Sequence, residues 1–476
     1  MKKLMYIMCC FMFLATATSC NDFLDEVAKS SLTPENSFTD ENDWNKTLTG
    51  AYAMLQEVFV QKYTIVLGEF GTDEVTPFDL GWAAYAELRN YTYSASHEFF
   101  RVHYIYCYDG IKRCNTVIDM PSEAPVGAET RALMIAQAKF LRARYYFDLV
   151  RMYGDVPLWT SSSVDKNQIM KPRENKDKIY ELIVQDMKDA EAVLPESWEN
   201  ASDKGRATKH AANALLGRIL LQWGKPAEAL VALNKVIGKF HLYEKYADIF
   251  SPENKNKEYE NIFEVQFKHS GSWGQEGSLQ SSYWGPRGGG GPTAGGFGWG
   301  GFGSTQYLYD SYENGDKRKT DFFYTVYGGI VQSPPSIKKF VDAKYGNQIE
   351  DDELNYIMIR YADVLLMKAE ALNDTEDASN DKYDCINQVR RRAQIEDITA
   401  AQNLTKQQFA DKVLEERLHE LCCEHHRRFD LIRFGKLISQ IKTVYNITIG
   451  NNQLLYPIPQ SAIDNNDAIT ENNPGY

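Results

Sequence analysis

Between Arg131 and Tyr153 the apolar residues Met134, Ala138, Leu141, Tyr145, Leu149 and Met152 recur three and four positions apart. That spacing draws one apolar stripe along a helix and leaves Arg142, Arg144 and Arg151 off it. Gly154 is placed to end the helix in a left-handed cap, and Pro157 prevents its resumption. The same period predicts helices over Tyr180–Leu194, Ala207–Trp223 and Ala227–Ile237, the last two joined by the turn Gly224-Lys225-Pro226. Small residues at Ala211, Ala212, Ala214 and Gly217 allow a neighbouring helix to approach closely. A second pair is predicted at Tyr361–Leu372 and Tyr383–Ala393 around the acidic turn Asn373–Asp381, followed by a helix over Gln407–Arg427. Residues 260–345 break the pattern: one short strand, Asn261–Phe267, leads into a long loop. The chain therefore reads as mainly α, a single body over residues 40–476 with a loop-rich insertion around 260–345. Helices on both sides of the insertion must pack together, because neither half carries an uninterrupted repeat array.

The N-terminus follows another rule. Lys2 and Lys3 precede an apolar run, Leu4–Leu14, too short to span a bilayer. Ala17-Thr18-Ser19-Cys20 then ends in cysteine. This is similar to the lipobox of a bacterial lipoprotein, with Ala17 where Leu is commoner; ordinary secretory cleavage near Ala17 is the alternative. It implies a signal peptide over 1–19, lipid on Cys20 and a polar tether over 20–39. Several acyl chains, at about 0.8 kcal/mol per buried methylene, would make the anchor durable. Losing Lys2 and Lys3 takes the net charge from −13 to −15. With a pI near 5.3, binding of nucleic acid through a basic surface is disfavoured. Cys107, Cys114, Cys385, Cys422 and Cys423 remain, an odd number in a chain too large to need staples, so no disulfide framework is expected.

Composition is most unusual from Gly271 to Gly303, with fourteen glycines in 33 residues interleaved with Trp273, Tyr283, Trp284, Phe297, Trp299 and Phe302. A flexible linker would lack large aromatics. A loop this long inside a folded body is more often functional, with glycines supplying unusual turns and aromatics supplying flat faces.

Two clusters tempt a catalytic or metal reading. Cys422 and His426 lie one helical turn apart, but Leu414, Leu418, Leu421 and Cys422 form a helix seam, and no C-x-x-C partner exists. Core packing is the expectation. Glu416, Glu420 and Glu424 fall four apart, superficially suiting the paired carboxylates of glycoside hydrolases. Three like charges on one face repel unless cations sit among them, and Arg390, Arg391, Arg392, Arg417, Arg427 and Arg428 are available. A structural ion-pair network is expected. Gly-x-Ser-x-Gly is absent, and the run Gly288–Gly291 lacks the Lys-Ser/Thr of a phosphate loop. No catalytic residue, cofactor or metal is assigned.

Longer segments carry a resemblance. AQAKFLRARYYFDLVRMYGDVPL (136–158), IRYADVLLMKAEALN (359–373), INQVRRRA (386–393), ERLHELCCEHHRRFDLIRFG (416–435), YPIP (456–459) and the terminal NNPGY resemble, in order, the SusD/RagB family of Bacteroidetes outer-membrane lipoproteins. Gln137 stands where Glu is usual, Tyr104 where Trp is common and His425 where Gly is usual. The resemblance implies about four tetratricopeptide-like helix pairs and an irregular, loop-rich ligand face with a few short strands. It implies a cell-surface, non-enzymatic glycan-binding protein, lipid-anchored in the outer membrane and seated on a SusC-like TonB-dependent transporter. A peptide-binding member of the family is the alternative; a glycoside hydrolase or a helical assembly scaffold stands further off. By position in the family, Asp73, Trp82 and Arg89 are expected at the ligand face. From the Gly-rich loop, Tyr283, Trp284, Arg287 and Trp299 are expected to join them, while Trp159, Trp198 and Trp223 are expected in the core.

Overall fold

A computed structural model describes residues 38–60, 63–77, 82–162, 170–271, 276–286, 301–342, 344 and 351–476, without the side chains of 58–60 and 63–65. Cys20 and the expected leader and tether up to residue 37 lie outside the described residues, as do Arg287 and Trp299.

The first helices are α1 (Glu41–Val60), α2 (Tyr63–Glu69), α3 (Ala83–Asn90), α4 (Glu98–Ile118) and α5 (Ala128–Tyr153). They continue with α6 (Lys176–Val193), α7 (Lys209–Gln222) and α8 (Pro226–Asn234). Helix α5 holds the stripe predicted from periodicity, and its whole C-terminal half is buried. It stops at Gly154, whose φ of +73° and ψ of −124° leave the helical region. Neighbours then stack in series: α1 on α4, α4 on α5, α5 on α6, α6 on α7 and α7 on α8. The α7–α8 contact depends on Gly217. A Cβ there would stand 2.4 Å from Leu233 Cδ2, so only glycine admits the buried leucine.

The stack does not end at α8. Its next neighbour in space is α10 (Tyr361–Asp374), more than a hundred residues on, which carries α11 (Asp381–Arg392) and α12 (Lys406–Glu420). The helical repeat is continuous in space and interrupted in sequence. The intervening chain supplies α9 (Gln280–Trp284) and most of the strands. There are three two-stranded antiparallel ribbons among the described residues. They pair β1 (Val75–Pro77) with β3 (Phe302–Ser304), β2 (Asn261–Val265) with β6 (Tyr356–Arg360), and β4 (Phe323–Tyr327) with β5 (Ile330–Ile337). No helix among the described residues is long and apolar enough to cross a membrane.

The single helix expected over Gln407–Arg427 is two. Helix α12 ends at Glu420, and α13 (Arg427–Arg433) begins after a tight turn in which Cys423 and His425 both take φ of +65°. Carboxylates from the other end of the chain hold this turn: Cys423 N–H donates to Glu74 (2.9 Å) and His425 N–H to Glu69 (2.5 Å). The left-handed backbone of His425 explains why glycine is usual there in the family it resembles. Helix α14 (Leu437–Tyr445) follows.

Candidate functional site

Strand pairing brings the two candidate segments together. In the β1–β3 ribbon Pro77 stands opposite Phe302. The chain leaving β1 toward Trp82 and the end of the Gly-rich segment entering β3 therefore meet at one end of that ribbon. The other end of the Gly-rich segment is fixed by Ser278 and Asp352, which exchange backbone hydrogen bonds of 2.8 and 3.1 Å. Asp352 also accepts from the N–H groups of Ser281 (2.9 Å) and Leu354 (2.9 Å). Burial pushes its carboxyl up to about 7, with Asp342 adding to the rise and those N–H donors opposing it.

Phe302 sits at the centre of an aromatic cluster. Tyr283 stacks on it at 4.9 Å, and Trp284 and Phe70 meet it edge-on at 5.2 and 5.1 Å. Tyr85 contacts Phe302 at 5.8 Å and passes the cluster outward to Trp82, 4.2 Å away. Trp82 caps the start of α3, also touches Phe99 at 5.8 Å, and is 41% exposed. The indole is thus braced by two aromatic rings and exposed at the surface. Arg89, half-buried on the same helix, lies over the ring of Tyr445 at 4.3 Å and donates to Asn90 at 2.7 Å. Its Nε has no hydrogen-bond partner among the described residues.

Three expected ligand contacts are instead structural. Trp284 is 1% exposed and Tyr283 is 5% exposed: α9 turns both inward, where they fill the space under β3. Asp73 is fully buried and forms a fork with Arg427 of α13 (both bonds 2.7 Å), with Gln440 donating at 2.9 Å. Thr72 and Glu74 are buried beside it, so this acidic segment clamps the turn between α12 and α13 from behind the site. Of the described candidates, Trp82 and Arg89 remain accessible. Trp159, Trp198 and Trp223, expected in the core, are half-buried and packed against it.

Two carboxylates of α12 and Glu424 in the turn after it form an ion-pair network. Glu416 meets Arg318 (2.5 Å) and Arg390 (3.0 Å); Glu420 meets Arg360 (2.7 Å), Arg392 (2.5 Å) and Arg318 (3.3 Å); Glu424 meets Arg360 (2.7 Å) and Lys339 (2.5 Å). All three acids are buried, so none faces a cleft where water could attack a glycosidic bond. Of the arginines expected to serve them, Arg390 and Arg392 do. Arg417, Arg427 and Arg391 pair with Asp363, Asp73 and Asp397 instead. Sequence reasoning missed Arg318 and Lys339, which arrive from the insertion, and Arg360, the last residue of β6. Cys422, Cys423, His425 and His426 are buried packing groups, and all five described cysteines are free.

One buried trio among the described residues, His103, Cys107 and Asp148, has metal-like proximity. Arg144 and Arg151 both pair with Asp148, putting positive charge where a cation would sit. Burial pushes His103 down to about 4 and the Cys107 thiol up.

Comparison with known proteins agrees with this architecture. The family profile described as "SusD family" matches residues 331–476, and one described as "Starch-binding associating with outer membrane" matches residues 22–221. SusD-like proteins P2 and P25 of Formosa agariphila are 26% and 25% identical, covering 100% and 96% of this chain and 100% and 97% of their own. A SusD superfamily structure from Parabacteroides distasonis superposes with a TM-score of 0.77 at 25% identity, over 94% of this chain and 100% of that one. A laminarin binding SusD-like protein and surface glycan-binding protein A from Bacteroides fluxus share the fold. Each has a TM-score of 0.78 at 24% identity and covers 92% of this chain and 100% of its own. With family profiles over residues 22–221 and 331–476, full-length relatives and the same helical stack, the chain belongs to the SusD/RagB family.

Proposed function

We propose that the protein captures oligosaccharide or polysaccharide at the cell surface and passes it to a SusC-like TonB-dependent transporter in the outer membrane, without hydrolysing it. Lipid on Cys20 would hold it there. The observation that carries the reading is the exposed indole of Trp82, braced by Tyr85 and Phe99 at the rim of the Phe302 cluster where the Gly-rich segment ends. A sugar ring offers an apolar C–H face to such a plane and hydroxyls to neighbouring polar groups, here the Arg89 guanidinium. Trp299 and Arg287 complete the proposed face. Family membership supports the reading, as do structural neighbours named as laminarin binding and surface glycan-binding proteins.

Affinity at one such site is modest, on the order of micromolar to millimolar, because one stacked pair contributes about 0.5–1.5 kcal/mol. Repeated units on a polymer raise the effective concentration. The test is native affinity electrophoresis in gels cast with a panel of neutral and acidic polysaccharides, with a casein-peptide gel beside them. Retardation by at least one polysaccharide supports the proposal. Retardation by peptide alone replaces it with the peptide-binding alternative, and release of reducing sugar from a retarding polymer replaces it with a hydrolase.

A further inference from the structure

A second cleft lies on the helical stack, sharing no lining residue with the Trp82 site. Its volume is about 780 Å³, within the range of small-ligand sites. It is bounded by the chain after α8, by the start of α10 and by the end of α11. Its wall carries Lys245, Lys317, Arg391 and Arg392 against a single acid, Glu244. In a chain of net charge −13 that is a local reversal of sign.

The four cations are not equivalent. Arg391 is paired with Asp397 at 2.6 Å. Arg392 is held from behind by Glu260 (2.7 Å) and Glu420 (2.5 Å). Its buried Nε nevertheless has no hydrogen-bond acceptor among the described residues. Lys245 is exposed and Lys317 half-buried, and neither ammonium has a carboxylate within 4.0 Å among the described residues. Two unpaired lysines on a wall with a single acid favour an anionic occupant.

The rest of the wall specifies what kind of anion. Tyr243 lines the cleft and packs against Tyr259 at 4.6 Å, and His241 meets Tyr259 at 5.5 Å. Tyr259 is 43% exposed. The aromatic row is fixed by the backbone: Tyr243 N–H donates to Glu260 (2.7 Å), and His241 N–H to the Tyr259 carbonyl (2.8 Å). A small inorganic anion would use the cations and leave these rings idle. A ligand with an apolar ring face and a pendant carboxylate or sulfate uses both.

We infer that this cleft is a separate binding site for acidic saccharide units, with Lys245 and Lys317 meeting the anionic group and Tyr243, backed by Tyr259, meeting the ring. It is independent of the Trp82 reading. The test is calorimetry on the full chain with tetragalacturonic acid, a heparin-derived tetrasaccharide and neutral maltotetraose, at 20 and 300 mM NaCl. At least one acidic probe should bind with a Kd of 10 mM or tighter, weaken several-fold at the higher salt, and bind more tightly than maltotetraose. Lys245→Ala/Lys317→Ala should weaken it at least 10-fold, with the melting temperature unchanged, and Trp82→Ala should leave it as in the wild type. A galacturonate response alone assigns a carboxylate, and a heparin response alone assigns a sulfate. Binding of neither acidic probe, equal binding of the neutral one, or a double variant that binds as well as the wild type overturns the inference.

Discussion

Replacing Arg360 by methionine removes the hub of the buried charge network. Arg360 makes two bonds to Glu424 (2.7 and 2.8 Å), one each to Glu420 (2.7 Å) and Glu260 (2.9 Å), and one to the Glu420 carbonyl (2.7 Å). The core of the network balances Arg318, Lys339, Arg360, Arg390 and Arg392 against Glu260, Asp316, Glu416, Glu420 and Glu424, with the more exposed Glu313 as a second partner of Arg390. Arg360→Met leaves one buried carboxylate without a compensating charge, which costs about 3–5 kcal/mol. Glu420→Gln alone leaves one surplus cation and should cost a similar amount. The double variant restores the balance, so its loss should fall short of the sum by at least about 2 kcal/mol. Urea unfolding followed by tryptophan fluorescence measures all four proteins. The network also predicts an acid limb: its arginines hold Glu420 well below the usual carboxylate range against the effect of burial. A lowered folded pKa gives stability that is present above the unfolded value, about 4.3, and lost as pH falls. That limb should be shallower in Arg360→Met. A single variant within about 1 kcal/mol of wild type, or strictly additive losses, would refute the reasoning.

Asp352→Asn should change sign with pH. Because burial raises the folded pKa to about 7, stability is full below the unfolded value and lost as pH climbs toward 7. Relative to wild type the variant should gain about 3 kcal/mol between pH 5 and pH 8 in parallel urea titrations, and a flat difference would contradict this. Gly217→Ala should destabilise by about 1–2 kcal/mol, since overpacking against Leu233 outweighs the gain of roughly 1 kcal/mol in helix propensity. A melting temperature at or above wild type would show that α8 shifts freely. Cys20→Ala should lose palmitate labelling and membrane association, and unchanged labelling would remove the lipid anchor.

The helices were legible because their information is local. The stripe from Met134 to Met152 and the turn at Gly224 need no distant partner to be read. The break at Cys423 and His425 was not legible, because its cause is Glu69 and Glu74, some 350 residues away. The same limit applied to the charge network. Three acids on one face announced that cations must be near, yet Arg318, Lys339 and Arg360 come from elements whose approach depends on the tertiary fold. At the candidate site, composition marked the Gly-rich segment as unusual. It did not show which aromatics turn inward. Trp82 and Trp284 look alike in sequence, and only the β1–β3 register with α9 beneath it separates a 41% exposed indole from a buried one. Asp73 carried the same ambiguity, settled by Arg427.

Glycan capture at Trp82 is tested most directly by calorimetry on Trp82→Ala, using the oligosaccharide of whichever polysaccharide retards the wild-type protein. Trp82 is 41% exposed and sits at the rim of the Phe302 cluster, so its loss should leave the melting temperature nearly unchanged. Loss of one stacking partner, at about 0.5–1.5 kcal/mol, predicts an affinity some 2- to 13-fold weaker. Wild-type affinity in a folded Trp82→Ala protein would contradict the assignment and place the glycan elsewhere on the surface.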